Sequence, residues 1–140
     1  MSFALTALAC MCAVSGPAPA AEAVPSLTPA RRAQEAPFMR LVKRNQTAND
    51  MTADVPAHTG EHVAYTCSIE EIERPTVVVG QCGSEEEPVD LYLELPPGTW
   101  RAGQRLRVLG IMDHPGSWSD ASGHTIYYPF VRAVFVDPLR

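Results

Sequence analysis

Hydrophobic and polar residues alternate along the second half of the chain with the period of two that is typical of β-strands. The clearest run is the segment VDLYLEL at 89–95, in which Asp90, Tyr92 and Glu94 face solvent while the aliphatic residues between them face a core. Four further segments show β-branched or alternating patterns. The pattern therefore predicts five strands, at 62–72, 76–82, 89–95, 104–112 and 124–136.

Prolines and glycines set the order in which these strands connect. Pro96, Pro97 and Gly98 end the third strand, and residues 96–103 can form at most a turn or a single helical turn before the fourth. Pro129 falls inside the fifth strand, where it demands an edge position or a bulge. The resulting order is a long hairpin, a third strand, a short connection and a closing hairpin. The predicted fold class is all-β.

Residues 61–140 resemble an oligonucleotide/oligosaccharide-binding (OB) barrel. The features that carry the resemblance are Gly80 in the second strand, the lead into the fourth strand at Arg101–Gly110, and the final strand ending at Arg132–Asp137. In layout the chain is similar to the bacterial OB-fold (BOF) family of periplasmic stress proteins. That resemblance implies a five-stranded OB-like barrel that binds a small ligand or a cation, and it supplies no catalytic motif.

The first 23 residues are typical of a secretory signal peptide. The apolar run from Phe3 to Val14 spans 12 residues, whereas roughly 20 are needed to cross a bilayer, and two small-x-small sites follow it. Residues 24–60 are polar and dotted with prolines, and we expect them to form a disordered, flexible linker. Export predicts a periplasmic or secreted bacterial protein.

The net charge of −5 includes two local charges of opposite sign. Residues 31–44 form a basic arm of net charge +4, with Phe38, Leu41 and Val42 at helical spacing. Such an arm can touch an anionic membrane surface or an acidic partner. The alternative is a solvated tail with a short, frayed helix. The charged residues of the arm are Arg31, Arg32, Glu35, Arg40, Lys43 and Arg44.

Residues 61–94 carry nine acidic side chains against Arg74 alone, a sum of −8. Because phosphate backbones are bound by Lys and Arg, this charge excludes nucleic acid as a partner. An acidic face at 70–94 suits a second role, that of a periplasmic inhibitor or immunity protein docked on the basic active site of an envelope protein. Its partner-binding residues would be Glu85, Glu86 and Glu87.

Two of the four cysteines, Cys10 and Cys12, leave with the signal peptide. If Arg74-Pro75 is the turn between the first two strands, Cys67 lies directly opposite Cys82, close enough for a disulfide bond in an oxidising compartment. Proline is unfavourable at the second central position of that turn, so a bulge near Glu70-Glu71 is expected. The alternative is a pair of buried free thiols.

OB barrels bind ligands on strands 2 and 3 and on the loops beside them. The longest loop here is 113–123, which contains Trp118, a stacking platform for a sugar or base or an anchor for a partner. Alternatively, Trp118 folds back to cap the barrel end. Trp100 is expected to close the barrel bottom. The predicted ligand-binding residues are His114, Trp118, Asp120, His124 and Tyr128.

The acidic and histidine side chains of this loop match no recognised metal-binding spacing, and no nucleophile elbow, HExxH or phosphate loop occurs. We therefore expect neither a metal nor a cofactor, and no enzymatic activity. The sequence predicts an exported, monomeric binding module for a small molecule, a glycan or a cation, acting in envelope stress, with no transmembrane span.

Overall fold

Five long strands close into a barrel, which confirms the predicted all-β fold class and the five-stranded barrel. The computed structural model describes residues 27–44, 46–113 and 115–139, so the predicted signal peptide lies outside the described residues. The barrel strands are β1 (His62–Arg74), β2 (Val77–Gly83), β3 (Pro88–Glu94), β4 (Arg105–Met112) and β7 (Phe130–Pro138); two short strands, β5 (Gly116–Ser119) and β6 (Thr125–Tyr128), lie outside it. The order around the barrel is β1-β2-β3-β7-β4, and β4 returns to pair with β1. β3 and β7 run parallel, and the other neighbours are antiparallel.

The predicted disulfide bond is present inside the barrel. Cys67 of β1 pairs with Cys82 of β2, their Cα atoms are 4.1 Å apart, and their sulfur atoms are bonded. Both side chains are buried in the core with inward-facing aliphatic residues of β1, β3 and β4. The bond therefore joins the first two strands through the core rather than across the outer surface.

The turn between β1 and β2 lies one residue later than predicted. Arg74 pairs with Val77, which places Pro75 at the first central position of the turn, where proline is favoured. Two register shifts in β1, at Glu70 and at Glu73, compensate and bring the two cysteines opposite each other. The predicted bulge near Glu70-Glu71 is thus confirmed, and it turns Glu70 away from the regular ladder.

The predicted fifth strand at 124–136 needs correction, because it is two strands. Pro129 separates β6 (Thr125–Tyr128) from β7. β6 pairs with β5 (Gly116–Ser119) in a two-stranded hairpin outside the barrel. Much of the segment 113–123, predicted as a loop, is therefore the first strand of this hairpin and its turn.

The prediction of a flexible linker over residues 24–60 also needs correction. It contains helix α1 (Pro29–Met39), helix α2 (Ala48–Ala53) and a 3₁₀ turn (Val55–His58). Thr28 caps α1, and Pro29 follows at the first helical position, where a proline needs no hydrogen-bond partner. A reciprocal capping box between Thr47 and Asp50 starts α2. Each helix is too short to show a sustained period in the sequence.

Helix α1 covers the outer wall formed by β4 and β7. Glu35 is only 2% exposed and accepts a hydrogen bond of 2.9 Å from Arg107 of β4. Arg31 lies 3.1 Å from the same carboxylate and above the ring of Phe135 in β7. Phe38 is buried edge-on against Phe135. Paired charges and ring contacts therefore fix the first half of the predicted basic arm to the barrel.

Helix α2 and the 3₁₀ turn close one end of the barrel. Ala48, Met51 and Val55 are buried in the same core cluster as the inward side chains of the strands. The Gly60 N–H donates to the carbonyl of Met112, 2.7 Å away, which joins this segment to the end of β4. Residues 29–44 and 46–58 are thus part of the folded unit.

Trp100, which was predicted to close the barrel bottom, lies in the connection between β3 and β4. Its ring is partly buried against the core, and its Nε1 donates to the carbonyl of Pro96 at 3.0 Å. Trp100 therefore packs against the core cluster, and its closure of the barrel bottom stays a prediction.

A polar cluster holds the chain after α1 to the start of β1. Glu61 accepts hydrogen bonds from Lys43 at 2.8 Å and from His58 at 3.0 Å. Burial alone raises the pKa of the Glu61 carboxyl, but these two bonds outweigh burial, and the pKa lies below its ordinary value of 4.5. A carboxyl whose pKa is lowered on folding stabilises the fold above its ordinary pKa. That stabilisation disappears as the pH falls through the pKa of the folded state.

We therefore expect Glu61→Gln to lower the free energy of unfolding by about 1 kcal/mol at neutral pH. The difference from the parent protein should shrink to nothing well below the ordinary pKa of a glutamate, where both forms carry a neutral side chain. Thermal melts of both proteins at neutral and acidic pH measure this. A difference that stays constant across the range would contradict the assigned role.

Candidate ligand-binding face

One face of the β5–β6 hairpin carries exposed aromatic and aliphatic side chains. Trp118 lies opposite Ile126, and Gly116 lies opposite Tyr128, so these positions share a face. Trp118 is 54% exposed, and the alternative in which it caps the barrel end is not the observed arrangement. Tyr127 lies on the other face of the hairpin and is also exposed.

Tyr128 connects this face to the barrel. Its ring lies directly over Gly116, where even a Cβ atom would overlap it. The ring centroid is 4.7 Å from that of Tyr92 on β3, at a tilt of 47°. The Tyr92 N–H also donates to the carbonyl of Pro129 at 3.1 Å. A strip of aromatic rings therefore runs from the hairpin onto the barrel wall.

The barrel wall beside this strip is the outer surface of β1, β2 and β3. Glu71 pairs with Val79, and Val79 pairs with Tyr92, so the three side chains form one row. Gln81 pairs with Asp90 in the next outward row. The outward residues of β3 thus place a ring and a carboxylate two positions apart on the same surface.

Negative charge is concentrated around Tyr92. Glu70, at the bulge in β1, contacts Asp90 and Gln81, and lost hydration together with the Asp90 carboxylate raises the pKa of Glu70. Partial burial, followed by the charges of Glu73 and Glu71 and by the neighbouring tyrosine, raises the pKa of Tyr92. We call this surface the acidic aromatic face; its residues are Glu70, Glu71, Glu73, Asp90, Tyr92, Trp118 and Tyr128.

Two of the predicted ligand-binding residues meet at the tip of the hairpin. The Asp120 carboxylate accepts hydrogen bonds from the N–H groups of Ser122 and His124, both at 2.9 Å, and from the Ser122 hydroxyl at 2.6 Å. Hydrogen bonds from Ser122 and His124 lower the pKa of Asp120. Asp120 therefore shapes the turn, while the ring of His124 remains largely exposed.

Ser122, His124 and Asp120 are the residue types of a catalytic triad, but their geometry differs from one. A triad needs the hydroxyl on one imidazole nitrogen and the carboxylate on the other. Here the Ser122 oxygen and the Asp120 carboxylate both approach Nδ1, at 2.6 Å and 3.5 Å. With both groups on the same nitrogen, Asp120 cannot orient the imidazole of His124 as a base for the Ser122 hydroxyl.

His114 lies outside the described residues. Across 27–44, 46–113 and 115–139, no three His, Cys, Asp or Glu side chains are grouped closely enough to hold a metal ion. Asp120 and His124 are two residues only, and their hydrogen bonds hold the turn of the hairpin.

The residues of the alternative partner surface lie in the loop between β2 and β3. Glu85 and Glu86 are exposed. Glu87 accepts a hydrogen bond of 2.7 Å from Asn49 of α2, and its N–H donates to the Ser84 hydroxyl. All three glutamates thus lie at the surface, and Glu87 also anchors the loop to the helix.

The structure brings together two of the five predicted ligand residues, Trp118 and Tyr128, on one face. Tyr92, Asp90 and Glu70 were missing from the predicted ligand-binding residues, although they lie within the acidic face at 70–94 that was predicted to bind a protein partner. The alternation in the third strand points Asp90 and Tyr92 outward, and the predicted bulge lies at Glu70. What the sequence lacked was the contact between the hairpin and β3.

Comparison with protein-family models, with curated proteins and with solved structures finds no match for this chain. None of the helices in the described part of the chain is long and apolar enough to cross a membrane.

Proposed function

We propose that this protein is a non-catalytic binding module that takes a small organic cation on the acidic aromatic face. The observation that carries the proposal is the Tyr92–Tyr128 ring pair beside the Glu70–Asp90 carboxylates. A cation above an aromatic ring is attracted by the negative face of the ring. Carboxylates at the edge of the rings add charge-assisted hydrogen bonds to an ammonium or guanidinium group.

Charge favours a cation over the other ligand classes that an OB-like barrel binds. Glu70 and Asp90 repel each other, and a bound cation relieves that repulsion. A neutral sugar would gain ring stacking but would leave the carboxylates uncompensated, and an anion would add to the repulsion. The aromatic rings in turn favour an organic cation over a bare metal ion.

The compartment is part of the same proposal. The Cys67–Cys82 disulfide supports an oxidising location such as the periplasm or the exterior of a bacterial cell. The closed five-stranded barrel agrees with the proposed kinship to the BOF family. A role in envelope stress follows from that kinship and stays a proposal.

A second candidate function is an inhibitor or immunity protein that presents acidic residues to a basic protein. The exposure of Glu85 and Glu86 favours it. Charge reversal of these two residues would abolish capture of such a partner from an envelope extract and leave binding of a small cation unchanged. Tyr92→Ala would have the opposite effect on the two activities.

The proposal is tested by titrating ¹⁵N-labelled protein with spermidine and, separately, with the neutral sugar maltotriose. Spermidine should shift the amide resonances of β3 and of the β5–β6 hairpin, and maltotriose should not. Tyr92→Ala and Tyr128→Ala should each weaken spermidine binding by about fivefold to tenfold, the loss expected for a partly exposed cation–ring contact.

Tyr127→Ala is the matched control, because Tyr127 is an exposed tyrosine on the opposite face of the same hairpin. It should bind spermidine as the parent protein does. An equal loss in the Tyr127→Ala protein, or shifts spread evenly over the acidic residues of the whole chain, would refute the assigned face.

A further inference from the structure

The chain leaving helix α1 exposes apolar side chains among basic ones. Leu41 is 61% exposed and Met39 is 38% exposed, beside three cationic residues. We call this region the basic corner; it consists of Met39, Arg40, Leu41, Lys43 and Arg44. Aliphatic residues set among Lys and Arg at a surface are the composition of interfacial membrane-binding segments.

The charge of the basic corner is largely uncompensated. Arg40 and Arg44 are exposed and form no ion pair with any residue between 27 and 139 that the structure describes. Lys43 contacts Glu61, yet its side chain remains 65% exposed. A phosphate-rich surface can therefore approach all three cations.

A recess of about 250 Å³ opens next to these cations. Met39, Val42 and Met51 give it an apolar lining, and Lys43 and Arg44 line it as well. Its wall on the barrel side is formed by β1 at 62–65. The recess thus combines basic groups with an apolar surface, the pairing that a lipid headgroup and the first part of its acyl chain require.

The basic corner is held in place by the fold. Phe38, just before it, is buried against His62 with ring centroids 4.7 Å apart. Val42 forms a parallel bridge with His62 as well. The exposed side chains are therefore presented in a fixed arrangement, and binding does not require the chain to become ordered first.

The two charged surfaces lie at different places on the barrel. The basic corner packs beside the start of β1, at 62–65. The acidic residues of the acidic aromatic face lie near the other end of β1, at 70–73, and on β3. An anionic surface would attract the basic corner and repel the acidic aromatic face, which favours one orientation.

We propose that the basic corner docks this protein on an anionic lipid bilayer. Arg40, Lys43 and Arg44 contact lipid phosphates, and Leu41 enters the interface with Met39. The exposed aliphatic side chains and the recess favour a bilayer over an acidic protein. A bilayer supplies acyl chains to cover Leu41 and headgroups to enter the recess, and the surface of an acidic protein supplies neither. The proposal is independent of the ligand bound on the acidic aromatic face.

Co-sedimentation of the full chain with vesicles tests the proposal. The vesicles are of phosphatidylcholine alone or of equal parts phosphatidylcholine and phosphatidylglycerol, and the readout is the ratio of bound fractions. Any contribution from the apolar N-terminal residues affects both vesicle types and all variants alike. We expect a preference of about tenfold or more for the anionic vesicles, because each exposed cation adds to the attraction. The preference should disappear at high salt, because salt screens these charges.

Arg40→Glu with Arg44→Glu should abolish the preference, and Leu41→Ser should reduce binding to anionic vesicles. The matched control reverses two exposed arginines elsewhere, Arg74→Glu with Arg101→Glu, and should keep most of the preference. Thermal melts check that each variant is folded.

Four results would overturn the proposal. These are equal binding of the parent protein to both vesicle types, an unchanged preference after the Arg40 and Arg44 reversal, an equal loss in the control variant, and binding to soluble poly-glutamate without a preference for anionic vesicles. The last result would point to an acidic protein as the partner.

Discussion

Removal of the Cys67–Cys82 disulfide is expected to lower the free energy of unfolding by about 3 kcal/mol, the chain-entropy value for a loop of this length. The two cysteines are 15 residues apart, and the bond lies in the core. For a domain of this size the loss corresponds to a fall in melting temperature of about 15 °C. Urea denaturation of Cys67→Ala/Cys82→Ala, and of the parent protein with and without reductant, measures it.

The chain offers a matched control for this experiment. Cys10→Ala with Cys12→Ala removes the other two cysteines and leaves the core pair intact. This variant should unfold at the same urea concentration as the parent protein and should keep the full response to reductant. A parent protein whose midpoint is insensitive to reductant would show that the bond does not stabilise the fold.

Met51→Ala is expected to lower the free energy of unfolding by about 3 kcal/mol, as large-to-small substitutions in a packed core do. Met51 is 1% exposed and packs in the core cluster from helix α2. The effect would demonstrate that helix α2, which lies in the predicted linker at 24–60, contributes to the stability of the barrel. Thermal or urea unfolding followed by circular dichroism gives the measurement.

Met39→Ala is the matched control, because it makes the same chemical change at the end of helix α1, where the side chain is 38% exposed. Its expected cost is below about 0.5 kcal/mol, the usual range for surface substitutions. Equal effects of the two substitutions, or none from Met51→Ala, would mean that α2 does not seal the barrel in solution.

The strands could be predicted from the sequence because each one carries its own signal. Alternation identified β3, and the position of the turn after Arg74 was close enough to place the two cysteines opposite each other. The one-residue error in the turn was invisible in the pairing, because two register shifts in β1 cancel it. Local patterns thus predicted the register despite an inexact turn.

The N-terminal helices could not be predicted in the same way. Helix α1 contains Pro37 and depends on contacts with residues far along the chain, such as Glu35 with Arg107. Helix α2 has six residues, which is less than two turns. Their stability comes from packing against the barrel, and a short stretch of sequence contains no information about that contact.

The candidate site was predicted in part for a related reason. Trp118 and Tyr128 share a face because they belong to one hairpin, and the length of the predicted loop at 113–123 indicated Trp118 as a candidate. Tyr92 joins them only through the tertiary contact between its ring and that of Tyr128. The acidic residues around Tyr92 were visible as a charge excess, but their convergence on one ring was not.

The β5–β6 hairpin lies outside the closed barrel, and this has a consequence for its motion. A two-stranded hairpin is marginally stable on its own, so its amide hydrogens can exchange through local opening without unfolding of the barrel. The Tyr92–Tyr128 contact is a tether between the two units. A ligand seated across both rings therefore binds only the closed arrangement, and its affinity includes the free energy of holding the hairpin shut.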